Sequence, residues 1–479
     1  MTRMAPLLAS AVLGGLVSGC ATIPKDGGFA EVQEAIRQQT GVEAEWVRQK
    51  DQEQAVKSRT RTLLAAELSV EGATEVALLN NQRLQATFEE LGLARADLLQ
   101  VRLARNPILG IDIRSPEQAF ELSLIQNLIS LLQIRRRHAV AAASFEAAKL
   151  RVTNDVLVLA AKVRMAYFTL QAAEQIAQMR GTVVESARAS AELAIRQRDA
   201  GNLPDLDLEN EQAFLEQAKL QLANSQGAVL SARESLNRLM GLWGPDTDWK
   251  IAPALSDLPS EDPGVEGLES LAIAQRMDLR AAWAELQAAA RAVPLARSSA
   301  NVDISVGVHR EREPEGITTT GPVLDYSVPI FDRGRPAKSR AEALLRQSQD
   351  RYAALAVEIR SEIREAWNRM TLARSRVAYY RDVVLPRRAR ISELSQRHYN
   401  FMLLGPYQLI MAKQNEINAQ SEYLESLKDY WINHADLQRA LGGDLPPAGK
   451  EPASSPPGVL PNGDDRSSEP PSHDHGEAP

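Results

Sequence analysis

The chain carries one plan twice, about 200 residues apart, and this duplication restricts its fold more than any other feature. Residues 77–98 (ALLNNQRLQATFEELGLARADL) resemble residues 272–293 (AIAQRMDLRAAWAELQAAARAV) at an offset of 195. An apolar stripe that begins at Val152 recurs from Tyr352 at an offset of 200. An internal period of this kind predicts a fold built from two copies of one structural unit.

The repeated stripe predicts very long helices. Its members are spaced alternately four and three residues apart, and the resulting mean period of about 3.5 favours helices that coil around their neighbours. An ordinary amphipathic helix is the alternative. Apart from Gly181 and Pro386, however, residues 134–200 and 336–400 contain little that would interrupt a helix, and each could reach roughly 100 Å. A tip and a returning helix follow each stretch, at 205–241 and 406–441. We therefore expect two antiparallel helical hairpins.

A short β hairpin precedes each long helix. Apolar residues alternate with polar ones in four segments, which is typical of strands with one apolar face. The apolar positions are Leu109, Ile111, Ile113, Phe120, Leu122, Leu124, Val302, Ile304, Val306, Val308, Leu324, Tyr326, Val328 and Ile330. The intervening positions that we expect to face a barrel lumen are Asp112, Arg114, Asp303, Ser305, His309 and Asp325. A membrane barrel and a half-buried soluble sheet both show this alternation.

Strand counting restricts the membrane interpretation. Two hairpins give four strands per chain, and an open sheet in lipid would leave unpaired edge groups that cost several kcal/mol each. Such a sheet must therefore close with sister chains. Two chains would give 8 strands and three would give 12, and barrel geometry allows both.

The N-terminus is typical of an exported lipoprotein. Residues 1–19 contain an apolar run that is too short to span a bilayer, as in a signal peptide. Val17-Ser18-Gly19-Cys20 resembles a bacterial lipobox, which predicts acylation of the Cys20 thiol; a plain signal peptide with a chance cysteine is the alternative. Cys20 is the only cysteine, so it forms no internal disulfide. Ala21 after it resembles the sorting signal of lipoproteins sent to the outer membrane.

The C-terminal segment differs in composition from the body. Residues 446–479 are rich in Pro, Ser, Gly and acids, which predicts a disordered tail. His473 and His475 within it are weak candidates for metal ligands, and a flexible pair of histidines is more often incidental.

Composition and motifs exclude several functions. The net charge of −7 comes from 55 Lys+Arg and 62 Asp+Glu mixed along the chain, so no basic surface for nucleic acid is expected. The sequence contains no HExxH motif, phosphate loop or nucleophile elbow. We therefore expect that the protein is not an enzyme and binds no cofactor. No later run of 18 uncharged apolar residues occurs, which predicts no transmembrane helix.

Residues 65–445 resemble the TolC family of outer-membrane efflux factors. The matching segments are LLNNQRL (78–84), ARNPILGIDIR (104–114) and, most specifically, VPIFDRGRPAKSRAEA (328–343). The resemblance implies a mainly α fold with a small β part, in which a homotrimer forms a 12-stranded barrel continued by a twelve-helix tunnel. It also implies docking to a periplasmic adaptor protein and an inner-membrane pump. The resulting division is a lipoprotein signal peptide (1–19), a lipid-anchored segment (20–64), a first repeat (65–250), a second repeat (251–445) and the tail (446–479).

The tips also resemble those of the family, with one departure. Its tip pattern falls on Arg198, Gly201, Pro204 and Leu208, and again on Tyr399, Met402, Gly405 and Leu409. Some members carry two aspartates at the periplasmic entrance, where this chain has Gln408 and Met411. Asp205, Asp207 and Glu209 could form an acidic entrance instead. Alternatively, these acids merely favour a helix N-terminus, each by about 0.3–1 kcal/mol.

The leading functional interpretation is a passive outer-membrane conduit, anchored through Cys20 to the lipid and extending into the periplasm. The segment after Cys20 and the second tip resemble the branch that accompanies copper and other heavy-metal resistance systems. Type I protein secretion, a structural coiled-coil lipoprotein without a pore, and a soluble protein that binds metal through its tail are the alternatives.

Overall fold

A computed structural model describes residues 27–115, 119–261, 264, 266–298 and 303–446. The expectations for the signal peptide, for Cys20 and for the tail with His473 and His475 lie outside these residues, and so does Val302.

The N-terminal part of the described chain is helical. Helix α1 (Phe29–Thr40) is followed by α2 (Lys50–Ala65), α3 (Val70–Asn80) and α4 (Gln82–Gln100). Asn81 separates α3 from α4, because its side-chain oxygen caps α4 by accepting hydrogen bonds from two backbone N–H groups. The Asn81 amide donates to the carbonyl of Leu239 at 2.7 Å, which ties this break to the end of the first helical hairpin.

The two helical hairpins form where the apolar stripe predicted them. After the short helix α5 (Leu128–Leu132), the first hairpin consists of α6 (Ile134–Asp199) and α7 (Asp205–Met240). Helices α8 (Leu268–Gln275) and α9 (Met277–Ser298) precede the second sheet hairpin. The second helical hairpin consists of α10 (Arg335–Tyr379), α11 (Leu385–Asn400) and α12 (Pro406–Leu441).

The second long helix is interrupted, in contrast to the prediction of one helix over 336–400. A five-residue π-helix, Tyr380–Val384, joins α10 to α11. Pro386 lies at the start of α11 and has no backbone N–H to continue the α-helical ladder, and a wider π turn accommodates such a break. In the first repeat, α6 runs through the matching region without a break.

The apolar stripe buries each long helix against its own repeat. Val152, Val156 and Val163 of α6 are fully buried, as are Ile359 and Ile363 of α10. By length and composition α6 is also the one described helix that could cross a membrane, but a buried core helix meets the same criterion.

The main sheet has four antiparallel strands in the order β2-β3-β5-β6. They span Ile108–Arg114, Ala119–Asn127, Ile304–Arg312 and Thr318–Tyr326. The strands β1 (Glu67–Leu68) and β4 (Lys250–Ile251) form a separate parallel pair. The predicted fourth strand was too long: β6 ends at Tyr326, and a tight turn follows in which the N–H of Ile330 donates to the carbonyl of Val328 at 2.9 Å.

The long helices form a layer whose order is α10-α12-α6-α7. Helix α12 packs against both α10 and α6, whereas α7 packs mainly against α6. The outer sides of α10 and α7 are therefore the two ends of the layer, just as β2 and β6 are the two edges of the sheet.

Glu211 of α7 provides a test of this packing. Its carboxylate is buried and accepts a hydrogen bond from the Ser190 hydroxyl of α6 at 2.8 Å. Burial raises the pKa of the Glu211 carboxyl, and Asp207 adds to the effect, while the Ser190 hydrogen bond opposes it. The native state binds the Glu211 proton more tightly than the unfolded state does. The stability that protonated Glu211 contributes is therefore lost as pH rises from the ordinary carboxyl pKa through the raised pKa.

We predict that Glu211→Gln increases the free energy of unfolding at pH 7 and that the gain shrinks as pH falls towards 4. Chemical denaturation across this pH range, with exposed Glu209→Gln as the control, measures the difference. A variant that is less stable than the wild type at pH 7 would contradict the account.

Candidate functional site

One face of the sheet is mainly apolar, and the pairing also places Gln126, Arg310 and Arg312 on it. Directly paired residues of neighbouring strands share a face, and Leu124 pairs with Leu109 on one side and Val308 on the other. The same face carries Leu109, Ile111, Ile113, Phe120, Leu122, Leu124, Ile304, Val306, Val308, Leu324 and Tyr326. Ile111, Val308 and Leu324 are 58%, 54% and 70% exposed. This face has no apolar partner within the described part of one chain.

The opposite face carries the acidic side chains of the strands, together with the apolar residues Ile108, Ile125 and Val323. The pairing places Asp112, Arg114, Ser305, His309 and Asp325 together on it, as the alternation predicted. Asp303 lies one residue before β5 and accepts a hydrogen bond from the Asn127 amide.

Two carboxylates on this face were missed as site residues. Glu121 and Glu311 lie opposite each other on β3 and β5, and Arg114 is 3.4 Å from the first and 3.8 Å from the second. The period-two alternation that identified the other residues of this face also includes Glu121 and Glu311, so it could have identified them. Four strand carboxylates thus share a face with one arginine and one histidine, an arrangement that attracts cations and repels anions.

His309 is partly buried on this face. Its ring lies 3.2 Å from the position that a Cβ atom would occupy at Gly321, so a larger residue at 321 would displace it. Its Nδ1 atom has no hydrogen-bond partner among the described residues. Across those residues, no group of three or more His, Cys, Asp or Glu side chains is arranged to hold a metal ion.

The two helical tips share one turn geometry. At the first tip Gly201 has φ 75°, and the N–H of Asn202 donates to the carbonyl of Gln197 at 2.8 Å. At the second, Met402 has φ 59°, and the N–H of Leu403 donates to the carbonyl of His398 at 2.9 Å. Met402 therefore adopts the left-handed conformation that glycine prefers at helix ends, at a cost of roughly 1–2 kcal/mol.

The second tip is apolar and exposed. Phe401, Met402 and Leu403 are 75%, 95% and 73% exposed. Gly405 immediately precedes α12. The side-chain oxygen of Gln408 folds back to 2.8 Å from the position that a Cβ atom would occupy at Gly405. Such a cluster of exposed apolar side chains is typical of a protein interaction site.

The first tip carries the acids. Pro204 precedes α7, and Asp205 and Asp207 lie in its first turn. The Arg198 guanidinium donates to Asp205 at 3.0 Å, so part of the Asp205 charge is balanced within the tip. The tips and the sheet are not brought together, because α6 separates them by roughly 100 Å.

A charged cluster in the second repeat was not predicted. Arg276, which is buried, donates to Asp278 at 2.6 Å and also to Glu362, and Arg439 donates to Glu362 at 2.6 Å. Burial alone would raise the pKa of Glu362, but hydrogen bonds from Arg439 and Arg276 hold it below its ordinary value. The cluster joins the start of α9 to α10 and α12. Arg276 also donates to the carbonyl of Ala440, which is 164 positions away in the chain, and no repeated spacing in the sequence predicts such a contact.

Comparisons with known proteins agree with this geometry. Residues 268–443 match the family model of the outer membrane efflux protein. The chain is 23% identical over 385 residues to the cobalt-zinc-cadmium resistance protein CzcC of Cupriavidus metallidurans, covering 79% of this chain and 91% of CzcC.

Solved structures show the same fold. A membrane protein from Pseudomonas aeruginosa superimposes with a TM-score of 0.68 at 21% identity, covering 78% of this chain and 93% of that one. CusC, whose structure is described as undergoing transmembrane channel formation, gives 0.68 at 19% identity and covers 78% and 92%. Residues 268–443 therefore carry an outer membrane efflux protein domain, and the described chain has the fold of these solved proteins.

Proposed function

We propose that three copies of this chain form the outer-membrane channel of a tripartite efflux system and conduct metal cations passively out of the periplasm. The observation that supports this most is a four-stranded sheet with one apolar face, one acidic face and two unpaired edges. Members of the family are homotrimeric and work with adaptor and pump proteins.

The sheet supports closure between copies. Its apolar face suits hydrocarbon, but its β2 and β6 edges would be costly there unless they were paired. Three copies joined edge to edge form a 12-stranded barrel. Asp112, Arg114, Asp303, Ser305, His309 and Asp325 then line its lumen together with Glu121 and Glu311.

The helical layer continues the barrel as a tunnel into the periplasm. At its far end the exposed side chains Phe401, Met402 and Leu403 dock onto the adaptor protein. Gly201, Pro204, Gly405 and Gln408 shape the two tips.

Acylation of Cys20 would anchor each chain to the outer membrane. Only six residues separate Cys20 from Gly27, the first described residue, and helix α1 follows it closely. Phe29, Val32 and Ile36 of α1 are buried against α4 and α6, which ties the anchor segment to the wall of the tunnel.

The cargo assignment rests on two observations. The relative CzcC is named for resistance to cobalt, zinc and cadmium. The acidic face of the sheet is suited to passing cations because three copies would place at least twelve strand carboxylates around one lumen.

Membrane contact of the apolar face can be tested at adjacent residues of β5. Val308→Arg places a charge among lipid chains at a cost of roughly 2–4 kcal/mol per chain, and we predict loss of assembled channel in the outer membrane. The neighbouring His309→Arg points to the opposite face and should assemble normally. Normal assembly of Val308→Arg would favour a tethered helical spacer without a pore.

An acidic entrance at the first tip can be tested by conductance. If Asp205 and Asp207 line the mouth, replacing both with Asn should reduce cation over anion selectivity in planar bilayers. Glu216→Gln, an exposed acid farther along α7, is the matched control. Unchanged selectivity would mean that these acids only favour the start of α7.

The cargo can be assigned by growth. We predict that a deletion strain becomes sensitive to divalent metals such as cobalt, zinc, cadmium or copper and that the wild-type gene restores growth. Dyes and antibiotics in the same panel serve as the comparison. Sensitivity to those compounds with normal metal tolerance would contradict the metal assignment and leave the channel itself in place.

A further inference from the structure

We propose that the junction between the sheet and the long helices binds the phosphate headgroups of anionic phospholipids in the periplasmic leaflet of the outer membrane. The binding surface consists of arginines that have no acidic partner within the described chain. This inference rests on the proposed membrane position of the sheet, and it adds a lipid ligand to the channel.

All four strands meet the helices at one end of the sheet. Ile108 at the start of β2 pairs with Ile125 near the end of β3, and Ile304 at the start of β5 pairs with Tyr326 at the end of β6. These ends coincide because β3 and β5 are antiparallel neighbours. If the sheet spans the membrane, this end lies at the periplasmic surface, since the helices continue from it. The chain segments at this end are 101–107, 128–141, 291–298 and 327–342.

These four junction segments are strongly basic. In a chain whose net charge is −7, they contain eleven basic residues and only two acids, Asp332 and Glu342. The turn between β5 and β6 at the other end of the sheet has the opposite character, with Glu313, Glu315 and no basic residue within 313–317. Positive charge is therefore concentrated at the end of the sheet from which the helices extend.

Contacts between the segments bring them together. The Gln133 side chain donates to the carbonyl of Ser298 at 3.1 Å, which joins the start of α6 to the end of α9. The Gln126 side chain donates to the carbonyl of Arg105 at 3.1 Å, which joins the end of β3 to the segment before β2. The basic residues thus belong to one region of the surface.

The two acids leave most of this positive charge unpaired. Glu342 lies 3.2 Å from Arg297 of α9 and 3.8 Å from Lys338. Asp332 accepts a hydrogen bond from the backbone N–H of Gly334 at 2.9 Å, within the turn before α10. Six arginines have neither an ion pair nor a side-chain hydrogen bond among the described residues, and we call them the basic cluster: Arg102, Arg105, Arg135, Arg333, Arg335 and Arg340.

Two members of the basic cluster lie at unfavourable places for a cation. Arg135 is in the first turn of α6 and Arg335 is in the first turn of α10, and neither first turn contains an acid. The N-terminus of a helix carries partial positive charge, so it favours anions and disfavours arginine. A bound phosphate would stabilise both the helix termini and the arginines beside them.

Exposed apolar side chains accompany the basic cluster along the chain. Leu103 lies between Arg102 and Arg105, Leu132 lies just before α6, and Phe331 before α10 is 100% exposed. Arginine beside exposed apolar groups is typical of a membrane surface, where the guanidinium reaches the headgroups. A guanidinium can also donate two parallel hydrogen bonds to one phosphate. Anionic phospholipid is therefore the ligand that matches both the charge and the apolar surroundings of the cluster.

The test is native mass spectrometry of the full protein, assembled and delipidated in detergent. Phosphatidylglycerol is the anionic probe, and phosphatidylethanolamine with the same acyl chains is the comparison. We expect phosphatidylglycerol to bind the assembly at concentrations at which phosphatidylethanolamine does not. Added salt should weaken this binding, because salt screens exposed charges.

A charge-removal variant tests the basic cluster itself. Each Lys or Arg near an anionic lipid surface strengthens binding roughly five-fold, so Arg135→Gln/Arg333→Gln/Arg335→Gln should bind phosphatidylglycerol roughly ten- to 100-fold more weakly. The matched control is a second triple variant that removes exposed arginines without ion pairs from the long helices, away from the sheet, and it should bind like the wild type: Arg188→Gln/Arg360→Gln/Arg387→Gln.

Three results would overturn the inference. The first is equal binding of the two lipids by the wild type, and the second is a cluster variant that binds phosphatidylglycerol as tightly as the control variant does. The third is displacement of phosphatidylglycerol by an equal concentration of inorganic phosphate, which would indicate a site for free phosphate. If the cluster variant does not assemble, the lipid preference and salt response of the wild type decide alone.

The same measurements separate this inference from the proposed channel. Assemblies of three chains without a preference for phosphatidylglycerol overturn the lipid site and leave the channel intact. A cluster variant with altered ion selectivity in planar bilayers but unchanged lipid binding would place these arginines in the lumen, which also overturns only the lipid site. A native mass of one chain overturns the channel as well.

Discussion

Backbone hydrogen bonding at the edges of the four-stranded sheet is the interaction on which the rest of the structure depends. Within the described residues, one face of this sheet is mainly apolar and largely exposed, and β2 and β6 each present a row of N–H and C=O groups without a neighbouring strand. In water these groups bind solvent, but in hydrocarbon they have no other partner. If the sheet lies in a membrane, pairing of β6 in one copy with β2 in the next would satisfy these groups, so the proposed channel depends on an oligomer. The acidic side chains of the other face are then enclosed rather than exposed to lipid.

The helical layer resembles the sheet in having two sides without a neighbouring element in the described chain. These are the outer sides of α10 and α7 in the layer α10-α12-α6-α7. Within the chain, the contact between repeats uses the stack of Phe168 on Trp431 and a hydrogen bond from Arg164 to the Gln438 side chain. At offsets of 200 and 201 the corresponding residues are Asn368, Leu230, Arg364 and Asn237, so the duplicated plan does not repeat the aromatic stack.

Much of this architecture could be predicted because it depends on local periodicity. The four-three stripe predicted the long helices, and the tips after them placed the ends of α6, α7 and α12 to within about two residues. The period-two alternation placed Asp112, Ser305 and His309 on one face. Features that depend on single backbone groups were predicted less well. The sheet ended early near Pro329, and a π turn beside Pro386 divided the second long helix. The Arg276–Glu362–Arg439 cluster could not be predicted, because it joins residues far apart in the chain without a repeated spacing. The acylation of Cys20 and the roles of His473 and His475 remain predictions.

The central claim is that identical chains close both the sheet and the helical layer into one hollow assembly. Electron microscopy of the mature protein, purified in detergent, tests it most directly. The account predicts particles with three-fold symmetry in which a 12-stranded ring continues into a ring of twelve helices. A homogeneous monomer that stays soluble without detergent would contradict it.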